Sequence, residues 1–238
     1  MDMVGWLTET QRRGWRPVLE VERRAGVLLC RGDCPLGRRT GAAARRRRLL
    51  RTARSLLEVG CRRCLTAPAF DGWPVLTEAG LRPVEPGPLC AALAPRLALT
   101  WLRRAGIPPE RATVALAGRR VDRALFEAAA ALAPQVRRLA VEVPGGEGED
   151  LLACLGREYG LPALEGRTGA EVTLCFSGAE GEGSGQLVLW GKVQLDGLML
   201  AGKSPLPPEL ERLPLLELLW EEGVYKADEI RVLPGWSG

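Results

Sequence analysis

The sequence predicts an α/β chain with a parallel sheet in its C-terminal half and a smaller α/β domain before it. Short apolar runs at 112–117, 136–143, 161–164, 172–176 and 186–190 have the length of strands. Between them, 121–133 and 149–159 have helical periodicity, with Leu125, Phe126, Ala129 and Leu132 on one side of the first. Strands alternating with such helices imply right-handed crossovers and parallel pairing. The charge also changes along the chain: residues 1–63 carry 16 arginines against six acids, while 64–238 carry 17 basic and 23 acidic residues. The expected organisation is a basic N-terminal domain over 1–87, a linking helix over 88–106, and the sheet domain with a C-terminal extension over 107–238.

Each element has a local reason. Residues 17–22 alternate apolar and polar, and 27–30 are apolar, which predicts a hairpin turning at Gly26. Leu49, Leu50, Ala53, Leu56 and Leu57 recur at helical spacing, and Gly60 stops that helix. Residues 61–68 read as a short strand, followed by a Pro- and Gly-rich stretch with a short helix over 75–79. The apolar segment 89–105 predicts a helix kinked at Pro95 and stopped by Gly106. Its uninterrupted part falls short of the ~20 apolar residues a membrane span needs. The glycine-rich 178–185 and the stretch 203–208 read as loops, 209–222 as a helix despite Pro214, and 229–233 as an edge strand.

Composition narrows the chemistry. The chain contains no histidine, so Ser-His-Asp and Cys-His mechanisms are excluded, and any zinc must take thiolate or carboxylate ligands. The only lysines are Lys192, Lys203 and Lys226, so 30 of the 33 basic residues are arginine. Such a bias is compositional, and a single arginine carries little functional weight. Seven cysteines, an odd count, and an N-terminus without an apolar signal core predict reduced thiols and a cytoplasmic protein.

The order strand, turn, helix, strand over 112–143 is that of the first βαβ unit of a Rossmann domain. Its turn reads Gly118-Arg119-Arg120-Val121-Asp122-Arg123 against the dinucleotide pattern G-x-G-x-x-G, so only the first glycine matches. Arginines block the backbone approach and close helix packing that the other two glycines permit. Glu142 stands where such folds place the ribose-binding acid. A small N-terminal part, an apolar linking helix and this unit together resemble the two-domain dehydrogenases related to shikimate dehydrogenase and glutamyl-tRNA reductase. The segment 170–178 is similar to their strand A-D-I-V-I-S. The resemblance covers 88–200 and is topological. It implies a Rossmann-like sheet and, as one reading, a diverged NAD(P)-dependent oxidoreductase, against which the degenerate glycines argue. The residues favour a protein that binds a small anionic ligand or a protein partner at the carboxyl edge of the strands. The expected site is Gly118, Arg119, Arg120, Asp122, Ser177 and Gly178, where free helix N–H groups and arginines meet. The plainer alternative is solvated arginines, with Asp122 supporting the first helical turn.

Three further patterns stand apart. Cys30 and Cys34 with Cys61 and Cys64 supply four thiols that can close a structural zinc site, or else are ordinary reduced cysteines. On one continuous strand, Cys61 and Cys64 would point to opposite faces. Ten arginines fall within 38–63, from Arg38-Arg39 through Arg45 to Arg54 and Arg62-Arg63, opposed only by Glu58. Arg47, Arg51 and Arg54 share one helical face, suited to nucleic-acid phosphates or an anionic membrane surface. No aromatic residue lies in that stretch, so base stacking is not expected from it. Finally, Gly197 and Gly202-Lys203-Ser204 formally match the nucleotide-triphosphate pattern G-x4-G-K-S. Pro205, Pro207 and Pro208 follow where that motif needs a helix.

Overall fold

The computed structural model describes residues 3–12, 14–37, 40–160, 163–181 and 183–235. The chain forms two compact units, Met1–Val84 with Ser204–Lys226, and Glu85–Lys203 with Ala227–Gly238. Residues 204–226 therefore pack within the first unit rather than extending the second.

The first unit begins with β1 (Val4–Thr10), β2 (Val18–Arg24), β3 (Val27–Pro35), α1 (Ala42–Glu58), β4 (Arg63–Leu65), α2 (Trp73–Ala79) and β5 (Arg82–Pro83). Its sheet has the order β2-β3-β1-β4-β5, and only β2 runs antiparallel to its neighbour. The expected hairpin is β2–β3, turning through Ala25 and Gly26, both at positive φ (50° and 96°). Such turns match the twist of paired strands. Strand β1, central in this sheet, has no counterpart in the sequence reading. Val4, Gly5, Trp6 and Leu7 are all buried, so the strand lacks the alternation that marks a half-exposed one. Helix α1 docks through Leu49, Ala53 and Leu56. Leu56 sits over Gly5 and Gly32 of adjacent strands, and a Cβ on Gly32 would stand 3.2 Å from it.

The second unit contains α3 (Gly87–Ala92), α4 (Ala94–Arg104), β6 (Thr113–Ala117), α5 (Arg123–Leu132), β7 (Arg138–Glu142), α6 (Gly146–Tyr159), β8 (Ala163–Glu165), β9 (Val172–Cys175), β10 (Gln186–Val188) and β11 (Leu198–Ala201). The single kinked helix expected over 89–105 is two helices meeting at Leu93, with Pro95 in the first turn of α4, where its missing N–H costs nothing. The sheet order is β10-β9-β6-β7-β8 and every pairing is parallel. The chain starts at the centre, moves outward through β7 and β8, then crosses back to β9 and β10. This is the doubly wound, Rossmann-like order, with its switch point between β6 and β9. Of the strand expected over 161–164, residues 161 and 162 lie outside the described residues.

Helix α7 (Arg212–Glu221) returns to the first unit and buries Leu215, Leu216, Leu218 and Leu219. Its entry is fixed by the Glu211 amide donating to the Thr66 carbonyl at 2.9 Å. Pro214 lies in its first turn and breaks no helical bond. Strand β12 (Arg231–Pro234) pairs antiparallel with β11. This overturns the phosphate-loop match. The segment from Gly197 to Ser204 is an antiparallel strand and its end, no helix opens at Ser204, the next beginning only at Arg212, and the Lys203 ammonium lies 2.9 Å from Glu229. Among the described residues, no helix is long and apolar enough to cross a membrane.

Asp196 joins three parts of the second unit. Its Oδ2 accepts from Trp101 Nε1 of α4 at 2.7 Å and from the Gly185 amide before β10 at 2.8 Å, with Arg104 at 3.6 Å. Burial pushes its carboxyl pKa up, but the two hydrogen bonds and Arg104 outweigh this, and the net shift is downward. A folded-state pKa below the unfolded value stabilises above the ordinary carboxylate range and is lost as pH falls through the lowered value. We expect Asp196→Ala to cost about 2–3 kcal/mol at neutral pH in urea unfolding, because two donors lose their acceptor. The gap from wild type should shrink on acidification; a constant gap would show that the carboxylate charge contributes nothing.

Candidate functional site

The site is set by how β6 ends. Five residues, 118–122, carry the chain from the sheet into α5. The Gly118 amide donates to the Glu142 carbonyl of β7 at 3.1 Å, and the Arg119 amide to the Ser177 carbonyl beyond β9 at 3.0 Å. The turn is thereby tied to both neighbouring strand ends. A Cβ on Gly118 would stand 2.9 Å from Leu125 Cδ1, which explains the one glycine retained. Gly178 has φ +83°, and a Cβ there would stand 2.7 Å from that of Arg119, so the arginine packs across a residue that must lack a side chain.

The start of α5 is occupied from within the chain. Asp122 caps the helix, its Oδ1 accepting from the Leu125 amide at 2.9 Å. Glu147, in the first turn of α6, accepts from the Val121 amide at 2.8 Å. Two carboxylates thus sit at the positive helix end, where dinucleotide-binding folds hold the pyrophosphate. With Arg120 and Arg123 in the second and third glycine positions as well, the residues present do not fit NAD(P) in its ordinary pose.

Beside this turn, a cleft of about 780 Å³ runs along the carboxyl ends of β6, β7 and β8 and the loop after β9. Gly118, Arg119 and Gly178 form one part of its lining; Glu142, Gly145, Gly148, Glu149 and Leu152 form another; Glu165, Arg167, Glu180 and Trp190 complete it. Arg167 lies 3.2 Å from Glu142 and donates to the Glu180 carbonyl at 2.8 Å, so its charge is already engaged. Arg119 is exposed and makes no ion pair among the described residues. Trp190 stands at the rim, its Nε1 donating to the Ala179 carbonyl at 2.7 Å. Lining side chains comprise four glutamates, two arginines, a tryptophan and aliphatics, with no Ser, Thr, Cys, Lys or Tyr among the described residues. This set recognises charge and hydrogen-bond donors; it supplies no hydroxyl, thiol or amine nucleophile.

Of the six expected ligand residues, Gly118, Arg119 and Gly178 line the cleft. Arg120 is exposed and outside it, Asp122 caps α5, and Ser177 contributes a backbone carbonyl to the turn. Sequence reasoning missed the walls from the β7–α6 and β8–β9 loops, including Glu149, Glu165, Arg167 and Glu180. A signal was present in Pro144-Gly145-Gly146, which ends a parallel strand at the same edge of the sheet.

The four cysteines of the expected zinc site lie in one apolar cluster with Leu7, Leu49, Ala53, Leu56, Leu76 and Leu81. Cys30 and Cys64 flank Gly5 in register on either side of β1. Cys61 lies against Cys30, and Cys34 against Thr52. Cys61 and Cys64 share this cluster, contrary to the opposite faces expected of one strand, because β4 begins only at Arg63. Among the described residues, no group of three or more Cys, Asp or Glu is arranged to hold a metal ion. Burial pushes the Cys61 and Cys64 thiols up to about 12, and burial likewise raises Cys30 and Cys34.

The arginine stretch is partly neutralised. Arg45 pairs with Glu9 and Asp71, Arg46 with Glu78, and Arg63 with Glu221, while Arg48 donates to the Pro35 carbonyl. Arg38 and Arg39 lie outside the described residues.

No protein-family model and no curated protein matches the chain. Among solved structures, it is similar to the L-tryptophan dehydrogenase from Nostoc punctiforme at 12% identity and a TM-score of 0.31, over 73% of this chain and 56% of that one. It is also similar to an arylmalonate decarboxylase at 14% identity and a TM-score of 0.22, over 68% and 86%. The chain thus spans little more than half the dehydrogenase. At these scores neither likeness bears on fold or activity, and the fold rests on the sheet order itself.

The thiol environments lead to a direct expectation. In the native protein at neutral pH, a thiol reagent such as dithionitrobenzoate should react readily only with Cys154, the one cysteine that is not buried, because the thiolate is the reactive form. All seven should react once the chain is unfolded. Rapid native labelling of Cys30 or Cys61, located by peptide mapping, would contradict the buried cluster.

Proposed function

We propose that the chain binds a small charged molecule in the cleft at the carboxyl edge of its five-stranded parallel sheet, and that it does so without dinucleotide. The ligand presents an acidic group to Arg119 and a cationic or donor-rich group to Glu149, Glu165 and Glu180. One observation carries this reading: Asp122 caps α5 and Glu147 holds the Val121 amide just before it, so two carboxylates stand where a dinucleotide's phosphates would be anchored, beside an open cleft. An anion held only by backbone amides would have to displace Glu147. A ligand bound through Arg119 meets an unpaired guanidinium and a wall of carboxylates, which favours molecules carrying both charges. Sheet order is shared by many unrelated functions, so the side chains of the cleft and not the topology define the ligand.

Thermal unfolding with a panel of amino acids, amino sugars and their phosphates tests this. A ligand near 100 times its Kd stabilises the folded state by about 2.7 kcal/mol, readily seen as a rise in Tm. We expect at least one amphoteric compound to raise Tm, and Arg119→Ala to abolish most of that rise while leaving the ligand-free Tm unchanged. Millimolar NAD(P) should leave Tm unmoved. A rise with NAD(P) that Arg119→Ala does not affect would replace this reading with a diverged oxidoreductase.

A further inference from the structure

The first unit carries a second, independent surface. Trp15, in the loop between β1 and β2, is 55% exposed. The guanidinium carbons of Arg16 and Arg51 lie 5.0 and 4.7 Å from its ring centroid. Arg51 also donates to the Trp15 carbonyl at 2.9 Å, pinning this loop to α1 across 36 residues of sequence. On α1, Arg47, Arg51 and Arg54 fall on the face opposite the buried Leu49, Ala53 and Leu56. All three are exposed. Unlike Arg45, Arg46 and Arg63, none of the three makes an ion pair among the described residues. The fold thus adds to a cationic stripe the exposed aromatic that its own stretch of sequence lacks.

We propose that this face binds single-stranded nucleic acid, with phosphates on Arg47, Arg51 and Arg54 and an unstacked base that takes the place of the exposed Arg16 guanidinium over the indole of Trp15. Cations alone attract any polyanion. An indole that already stacks guanidinium groups offers a π-surface on which an unpaired base can replace one of them, whereas duplex bases are already stacked. A membrane surface fits less well. Amphipathic lipid binders turn an apolar face outward beside their cations, whereas the apolar face of α1 is buried in its own core.

The full chain should bind a fluorescently labelled oligothymidylate, with an affinity that falls log-linearly with salt at a slope of about −2 for three phosphate contacts. Trp15→Ala should weaken that binding about five-fold or more, the loss of one stacked base, with the salt slope unchanged and with binding to inorganic polyphosphate unaffected. The double variant Arg47→Ala/Arg54→Ala should lower the slope and weaken both probes. Both variants alter exposed side chains, and an unchanged urea midpoint will confirm that each is folded. Equal oligothymidylate affinity for wild type and Trp15→Ala, tighter binding to duplex than to single strand, salt-insensitive binding, or stronger retention on phosphatidylserine vesicles would each overturn the proposal.

Discussion

A strand buried on both faces has no water to satisfy its peptide groups, so β6 must find every backbone partner in β7 and β9. Its register shows this, with Ala115 opposite Ala140 on one side and Thr173 on the other. Much of the second unit follows. Parallel pairing on both edges requires crossover connections, and right-handed crossovers bring all the strand-to-helix turns to one edge. The chain leaves β6 in opposite directions for β7 and β9, so the turns diverge there and a crevice opens. The cleft is thus a product of backbone hydrogen bonding before any side chain is considered.

What that crevice can hold is decided by electrostatics at one helix end. The first turn of a helix leaves amides without intrahelical partners, and an anion placed there is favoured by both hydrogen bonding and the helix dipole. Many folds of this topology place a phosphate there. Here Asp122 caps the first turn, Glu147 takes the Val121 amide just before it, and the Arg119 side chain packs against Gly178. Arg167 is drawn into the cleft wall by Glu142, whereas Arg119 is exposed and makes no ion pair among the described residues.

The first unit uses its charges differently. Its core is closed by small residues, since Gly5 and Gly32 give Leu56 room to settle against the sheet. Cys30 and Cys64 beside Gly5 pack in the apolar cluster, and burial raises both thiols. Arg45, Arg46 and Arg63 of the basic stretch pair with acids from elsewhere in the unit, while Arg47, Arg51 and Arg54 beside Trp15 make no ion pair among the described residues. The two surfaces lie in different units and call on different chemistry: mixed charge around a cavity in one, repeated cations beside an exposed indole in the other.

Periodicity alone located the hairpin, α1, the β6–α5–β7 unit and most later strands, because each records which side of an element turns from water. It also identified Gly118, Arg119 and Gly178 as neighbours of the cleft, since a parallel strand must end in a turn at that edge. Strand β1 escaped it because burial on both faces erases alternation, whereas the strand-like character of 198–201 was legible but its antiparallel partner β12 was not. The glutamate walls, the capping of Val121 by Glu147, the pairing of Arg45 with Glu9 and the meeting of Trp15 with Arg51 left no local mark. These join residues tens of positions apart, and only the crossing of the chain through space determines which charge, ring or amide stands opposite which.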